Sequence, residues 1–313
     1  MPRSLKRASC PWRCYIASIF LLFSSAAGAE LYKYQDDSGI WHYSDIPPQG
    51  EGPRVESGNN LPTQQQVIIH LLGKQEAPIF EVSNSLPSPI ELEFSAKQMQ
   101  NMAAEPPLPI HKVIAAGSRE PLTRFSPIQP DLPWNYAYAT RFVLGDPNAK
   151  HISGKPYLPP FPSRKEFTIS QAFNGEQSHK QHTLTRYAVD IPMPEESPVN
   201  AARSGTMVEK KKGKLSPKSD HATYYVRILH RDGTFGLYAN LAPDSVKFQP
   251  GMEINRGQRL GVLQKTKDGS EPFLHFAVQK NTGMKLESIP FSFTSLDGTP
   301  QVPKAGSPLR HPL

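Results

Sequence analysis

Three widely spaced residues of the types that bind zinc stand out in the second half of the chain. They are His179, Asp190 and His275, and His182 is an alternative to His179. Zinc in a hydrolase takes about three nitrogen or oxygen ligands from the protein and keeps one position open for water. Two histidines and one aspartate meet that count.

The sequence around these residues predicts short strands that would position them. Asp190 follows an apolar pair, so its carboxylate stands at the end of a β-type run. His275 alternates with Phe273 and Ala277, and side chains two residues apart lie on the same face of a strand. The competing interpretation is that the histidines lie in loops and that Asp190 caps a turn.

Further sequence blocks surround the candidate ligands and make the competing interpretation improbable. They read AVDIPMP (188–194), SPVNA (197–201), YANL (238–241), RGQRLG (256–261) and FLHF (273–276). With a preceding histidine, and in this order, these blocks resemble the lysostaphin/LytM-type zinc metallopeptidases, which cut peptides of bacterial cell-wall peptidoglycan. The resemblance implies a LytM-type antiparallel β-sheet domain with Zn²⁺ bound by His179, Asp190 and His275.

The resemblance also identifies two departures from the family pattern. The family has two further histidines near the metal, which orient water and stabilise charge on the tetrahedral intermediate, and here those positions hold Asn240 and Phe273. An asparagine amide can donate a hydrogen bond but cannot transfer a proton near neutral pH, and phenylalanine can do neither. We therefore expect a zinc-binding, peptidoglycan-binding domain with weak or absent hydrolysis.

Other functions fit parts of the same pattern. Retention of the three ligands favours an active zinc metalloendopeptidase that cleaves peptidoglycan peptide bonds. The two substitutions favour a non-catalytic module that regulates a cell-wall hydrolase, as degenerate LytM domains do for amidases. A third possibility is that zinc only stabilises a domain without disulfides.

The N-terminal 29 residues have the features of a secretory signal peptide. Four basic residues precede a short apolar run at 15–23, and Ala27 and Ala29 give the small-residue pattern before Glu30. This predicts a periplasmic or secreted protein without a transmembrane span in the mature chain, and an uncleaved anchor is the alternative. Both cysteines, Cys10 and Cys14, lie in this segment, so the mature chain would have neither disulfides nor cysteine-bound zinc.

Composition and charge exclude several classes of protein. Prolines number 33 in 313 residues, which disfavours long helices, and a hydrophobic content of 37% is sufficient for folded cores. Removing the signal peptide, with its four basic residues, lowers the formal net charge from +7 to +3. So small an excess in an exported protein argues against nucleic acid as a partner. The lysine run at 210–214 is expected in a loop between two strands.

The pattern predicts a mostly β protein with a β-sandwich-like middle domain before the LytM-type domain. A hairpin around the DDSG turn at 36–39 resembles a short N-terminal domain of Gram-negative envelope proteins. Strands are expected at 67–72, 79–82, 90–94, 112–116 and 136–144, with one or two helical turns within 95–104. The predicted segments are signal peptide 1–29, hairpin domain 30–50, linker 51–66, sandwich-like domain 67–148, proline-rich connector 149–165, LytM-type domain 166–284 and C-terminal tail 285–313.

Overall fold

The computed structural model describes residues 66–181, 183–215, 222–266 and 270–312, and the backbone of two strands at 32–35 and 40–44. Its first nine strands are β1 (Tyr32–Gln35), β2 (Ile40–Ser44), β3 (Val67–Lys74), β4 (Ala77–Asn84), β5 (Ile90–Gln100), β6 (Met102–Glu105), β7 (Ile110–Ile114), β8 (Ser118–Pro127) and β9 (Asn135–Leu144). The signal-peptide prediction concerns residues outside this description.

The remaining elements belong to the C-terminal half of the chain. They are β10 (Glu166–Thr168), β11 (Val189–Pro192), β12 (Pro198–Asn200), β13 (Gly205–Gly213), β14 (Thr223–Leu229), β15 (Phe235–Ala239), a short 3₁₀ helix (Pro243–Ser245), β16 (Glu253–Ile254), β17 (Arg259–Val262), β18 (Phe273–Asn281), β19 (Leu286–Ser288), β20 (Phe293–Thr294), β21 (Pro300–Gln301) and β22 (Pro308–Arg310). No helix in the described part of the chain has the length and hydrophobicity that a membrane span requires.

Two antiparallel sheets form the middle domain, as predicted. One has the strand order β1-β2-β9-β5-β7 and the other β3-β4-β8-β6. Along β4, every second residue is buried, which is the period of a strand with one face on a core. Phe80 of β4 contacts Phe94 and Phe125 with ring centroids 5.1 and 4.5 Å apart, so aromatic rings from both sheets fill the space between them.

The prediction of helical turns within 95–104 is wrong. Strand β5 continues to Gln100 and β6 follows at once. Strand β5 pairs with β9 along its whole length, with one register shift between Ala96 and Gln98. The alanine, lysine, glutamine and methionine of this segment have good helix propensity, but inter-strand pairing and burial against the sandwich outweigh it.

The predicted N-terminal hairpin extends the middle sheet. Strands β1 and β2 pair antiparallel, and β2 also pairs with β9, from Ile40 opposite Ala139 to Tyr43 opposite Tyr136. Pairing with β9 gives the hairpin a third strand, and an isolated two-stranded hairpin is at best marginally stable in water.

A seven-stranded antiparallel sheet is the centre of the C-terminal domain. Its strand order is β11-β18-β15-β14-β13-β16, and β19 pairs with β18. Large side chains such as Ile228, Tyr238 and Phe276 point to one face and form the main core. The lysines at 210–212 lie on β13 rather than in the predicted loop, because β13 continues to Gly213 in register with β14.

The middle domain contacts the C-terminal domain at one end of β18. The Asn281 side-chain amide donates to the carbonyl of Gly145 at 3.0 Å, and the backbone N–H of Met284 donates to Glu91 Oε2 at 2.6 Å. His275 lies six residues before Asn281 on the same strand, or roughly 20 Å at about 3.3 Å per residue. The middle domain therefore contacts the end of the sheet that is far from the candidate ligands.

Candidate metal centre

Two of the three candidate ligands are held by adjacent strands of the large sheet. Asp190 on β11 lies directly opposite His275 on β18, and β18 pairs on its other side with β15, where Ala239 faces His275. Directly paired residues project their side chains to the same face of a sheet. The His275 Nδ1 atom lies 2.7 Å from Asp190 Oδ1.

The third candidate ligand comes from the loop between β10 and β11. His179 is fully buried, its Nδ1 lies 3.1 Å from the carbonyl oxygen of Ala172, and its Nε2 is directed at Asp190 Oδ1 at 3.4 Å. The rings of His179 and His275 lie 5.2 Å apart, centroid to centroid. The sequence prediction placed these three residues together, and the structure brings them together.

The three candidate ligands bring nitrogen and oxygen atoms together in a buried position. One ligand atom from each of His179, Asp190 and His275 lies within 4.8 Å of the others, and all three residues are buried. His179 Nε2 is a buried atom without a hydrogen-bond partner. An orphaned ring nitrogen beside a buried carboxylate fits a cation-binding site, because a cation would satisfy both.

Electrostatics keep the Asp190 carboxyl ionised. Burial alone would raise its pKa, but the nearby imidazole rings of His275 and His179 outweigh burial and hold that pKa well below its usual range. Asp190 therefore presents an anionic oxygen at neutral pH, as a metal ligand must.

Gln171 supports the site and was not identified from the sequence. Its Nε2 donates to the second carboxylate oxygen of Asp190 at 2.7 Å and to Ser178 Oγ at 2.8 Å. Its Oε1 accepts the backbone N–H groups of Gln177 and Ser178, each at 3.1 Å. One amide thus fixes the orientation of Asp190 and the loop that carries His179. A glutamine in a polar loop carries no sequence signal for such a role.

The side chain of Asn240, at the position of a family histidine, makes two hydrogen bonds within the domain. Its Oδ1 accepts the Thr223 hydroxyl at 2.6 Å, and its Nδ2 donates to the carbonyl of Phe273 at 3.0 Å. Its backbone is in the left-handed region, with a φ of 68°, which asparagine and histidine adopt more readily than most residues. The amide that could have served a reacting group therefore holds β18 beside the loop after β15.

Phe273 stands at the first position of β18, on the same strand face as His275. Its exposed fraction is 38%, and it lines an open cavity of about 540 Å³. Other lining residues include Lys212, Tyr224, Asn240 and Lys265. The two departures from the family pattern thus face one cavity next to the candidate ligands.

The chain also matches family models over two separate segments. The description of the first is Peptidase family M23, and it covers residues 185–286. Residues 185–286 form a domain of peptidase family M23. The second match, over residues 18–67, is to a domain of unknown function, DUF4124, and includes the N-terminal hairpin.

Solved structures similar to this chain include several peptidases. Lysostaphin matches at 27% identity over 31% of this chain and 37% of its own, with a TM-score of 0.25. The lysostaphin catalytic domain from Staphylococcus simulans matches at 23% identity over 44% and 88%, with a TM-score of 0.27. A zinc-containing peptidase from Vibrio cholerae matches at 13% identity over 79% and 81%, with a TM-score of 0.30.

Only some of the candidate site residues lie within the range of the M23 match. Asp190, Asn240, Phe273 and His275 lie inside residues 185–286, whereas His179 lies six positions before it. The place of His179 in the M23 domain thus depends on its contacts with Asp190 and its distance from His275. His182, the alternative ligand, lies outside the described residues.

The other histidines of interest have structural contacts. In the middle domain, His70 Nε2 lies 2.7 Å from Ser83 Oγ, and the ring of His111 is near Glu93 on the exposed face of the sheet. In the M23 domain, the Nδ1 of His230 lies 2.9 Å from the Ser204 carbonyl oxygen, and burial lowers the pKa of its ring to about 4. His230 is therefore a buried neutral residue at neutral pH.

Proposed function

We propose that the M23 domain of this chain binds one zinc ion and peptidoglycan peptides, and hydrolyses them weakly or not at all. The observation that carries the proposal is the combination at one site of three convergent ligands with two substituted positions. His179, Asp190 and His275 meet within 4.8 Å, while Asn240 and Phe273 line the adjacent cavity.

Zinc fits the donor set in this proposal. His179 Nε2, Asp190 Oδ1 and His275 Nδ1 would hold it, which leaves a position open. When bound, zinc would polarise a peptide carbonyl and lower the pKa of a water molecule. Gln171 keeps the Asp190 carboxylate in place through its 2.7 Å hydrogen bond, and such supporting contacts typically affect metal affinity 10–100-fold.

The cavity beside the ligands is the proposed peptide-binding surface. It is lined by the rings of Tyr224 and Phe273, and by the cationic side chains of Lys212 and Lys265. Aromatic side chains offer apolar contact, and ammonium groups attract carboxylates. Peptidoglycan stem peptides carry free carboxylates, so this lining suits them.

Weak hydrolysis follows from the side chains at positions 240 and 273. Proton transfer by a positioned group typically contributes ~10²–10⁴-fold to a rate, and one oxyanion donor ~10²–10³-fold. Asn240 cannot transfer a proton and already donates to the Phe273 carbonyl. Phe273 offers neither a proton nor a hydrogen bond.

A second candidate function is an active zinc metalloendopeptidase of peptidoglycan. The retained, buried ligand set favours it, because a domain without use for zinc has no evident need of three convergent donors. If hydrolysis is weak or absent, the domain would instead act by binding peptidoglycan, and through that binding it would regulate a cell-wall hydrolase.

The proposal includes export to the periplasm or beyond, because peptidoglycan lies outside the cytoplasmic membrane. The basic, apolar and small-residue segments of residues 1–29 support it. Mass spectrometry of the envelope fraction is expected to find a chain that begins at or near Glu30. A full-length product in the cytoplasm would contradict this part.

Co-sedimentation with purified peptidoglycan, followed by analysis of released peptides, tests the two functions together. We expect the protein to sediment with peptidoglycan and to release little soluble peptide over hours. Tyr224→Ala should weaken sedimentation, whereas His111→Ala, on the middle domain, should leave it unchanged. Failure to sediment would contradict peptidoglycan binding, and rapid chelator-sensitive release would establish the second function.

A further inference from the structure

A second cavity, of about 790 Å³, lies in the M23 domain away from the candidate metal centre. Its lining includes the turn between β14 and β15, with His230 and Asp232. This turn precedes the start of β15, whereas Ala239, the partner of His275, ends that strand. Four residues of strand, roughly 13 Å, separate the two ends of β15.

Cationic side chains dominate the lining of this cavity. Lys155, Arg203, Arg231 and Arg256 contribute four positive charges against the single carboxylate of Asp232. Asp232 is already occupied, since it pairs with Arg203 at 3.0 Å and accepts the backbone N–H of Ile152 at 3.2 Å. The cavity therefore retains a positive excess after its one acid is accounted for.

Arg203 is held rigidly at the cavity wall. Its guanidinium stacks on the ring of Tyr157, with Cζ 3.5 Å from the centroid, and donates to the carbonyl of Lys155. Stacking and pairing fix the plane of a guanidinium, so little freedom is lost when a ligand binds to its remaining N–H groups.

Arg256 lacks a counter-charge among the described residues. Its only side-chain hydrogen bond among the described residues goes to Thr294 Oγ1 at 3.3 Å, and no described carboxylate lies within ion-pair distance. Burial and the charge of Arg203 both lower its pKa, which indicates that the two guanidinium groups lie near each other. Two neighbouring cations, only one of which is paired with a carboxylate, favour a bound anion.

We propose that this cavity is a binding site for a phosphate group, with Arg203 and Arg256 as its main contacts. A phosphate monoester carries about −1.5 to −2 charges on one centre at pH 7, and can accept from two guanidinium groups at once. A single carboxylate carries one charge in one plane and matches one guanidinium. The hydroxyl of Thr294 and the ammonium group of Lys155 supply further donors at the rim.

Calorimetric titration of the whole protein tests the site and separates two sources of the phosphate. The probes are glycerol 3-phosphate and phosphatidylcholine vesicles that contain phosphatidic acid, at 0.15 M salt so that unspecific attraction is screened. Saturable 1:1 binding of the soluble ester would assign a soluble phosphate, and binding of vesicles alone would assign a lipid headgroup. Absence of binding to both probes would overturn the proposal.

Variants localise the binding. Arg256→Gln removes an unpaired guanidinium and is expected to weaken binding about 10-fold or more. Arg259→Gln makes the same charge change on the exposed side of β17, outside this cavity, and should leave affinity within about 2-fold. Equal weakening by both variants, or no weakening by Arg256→Gln, would overturn the assignment. Zinc content should be unchanged in both, so this test is independent of the metal centre.

Discussion

Single side chains decide what the M23 domain can do chemically. His179, Asp190 and His275 converge in a buried position, and Gln171 holds the carboxylate. Next to them, the Asn240 amide is bonded to Thr223 and to the Phe273 carbonyl. In the proposed function, the site thus keeps three residues that would bind a metal and lacks the two histidines that would move protons.

Restoring both histidines is expected to raise hydrolysis of purified peptidoglycan by orders of magnitude. Asn240→His with Phe273→His returns two contributions of ~10²-fold or more. The backbone at position 240, with a φ of 68°, accepts histidine. Each single change should recover less, because groups that act on one transition state are not additive. Release of soluble peptides, measured by chromatography, gives the rates.

The outcome that would contradict this prediction is strong cleavage by the wild type that is abolished by a chelator and insensitive to changes at Asn240. Another residue would then serve as the base. The control is His111→Asn, which replaces a histidine of the middle domain far from the site and should not alter the rate of peptide release.

The identity of these residues followed from the sequence, but their contacts did not. Asp190 and His275 belong to motifs with strand periodicity, so their positions on strands were predictable, whereas the pairing of those two strands was not. The role of Gln171 and the bonds of Asn240 depend on where the loops before β11 and after β15 fold. Tertiary contacts determine those positions, and no local pattern encodes them.

At the scale of the elements, alternation and turn residues were sufficient for β3, β4, β5, β7 and β9, whereas β6 and β8 of the same domain were not predicted. The long hairpin of β13 and β14 was not predicted because its lysines suggested a solvated loop. On β13, Lys211 pairs with Glu209 and lies over the ring of Tyr225, so the sheet uses these charges on its surface. The extension of β5 to Gln100 was also not predicted. Its last residues have good helix propensity, but they pair with β9.

Close packing at the start of β13 makes Gly205 intolerant of a side chain. A Cβ there would lie 2.1 Å from the carbonyl oxygen of Leu229, and backbone cannot move aside cheaply. We expect Gly205→Ala to lower the free energy of unfolding by about 1–3 kcal/mol. Gly213→Ala, at the other end of β13, meets Tyr225 only at 3.5 Å and is the matched control. Urea denaturation followed by circular dichroism measures both, and equal stability of the two variants would contradict the packing.

At the scale of the whole molecule, the described contacts between the two domains lie away from the cavity beside Phe273. The middle domain contacts the M23 domain through Gly145 and Glu91, at the far end of β18. Neither residue lines the cavity that contains Asn240 and Phe273. The weak hydrolysis that we propose is therefore assigned to the substituted side chains, because the described contacts of the middle domain do not reach this cavity.

The stability of the whole protein should fall as the pH decreases from about 6.5 to 4. Burial lowers the pKa of His230 from 6.5 to about 4, so the unfolded chain binds a proton in this range that the folded chain does not. The contribution of His230 is fully present above pH 6.5 and decreases by up to about 3 kcal/mol by pH 4.

Urea denaturation at several pH values checks this, with His230→Asn as the test variant. Asparagine can replace the contact that the His230 Nδ1 atom makes with the Ser204 carbonyl but does not titrate, so the dependence on pH should become shallower. His111→Asn, with an exposed side chain, is the control. An unchanged slope for His230→Asn would show that other groups cause the acid sensitivity.

Zinc content of the purified protein, measured by elemental analysis after dialysis, tests the central claim most directly. We expect about one zinc per chain in the wild type, as a three-ligand site with an open position implies. His275→Ala and His179→Ala should each lose most of it, and His111→Ala should lose none. Full zinc occupancy in a variant that carries both His179→Ala and His275→Ala would contradict the assignment of these residues as ligands.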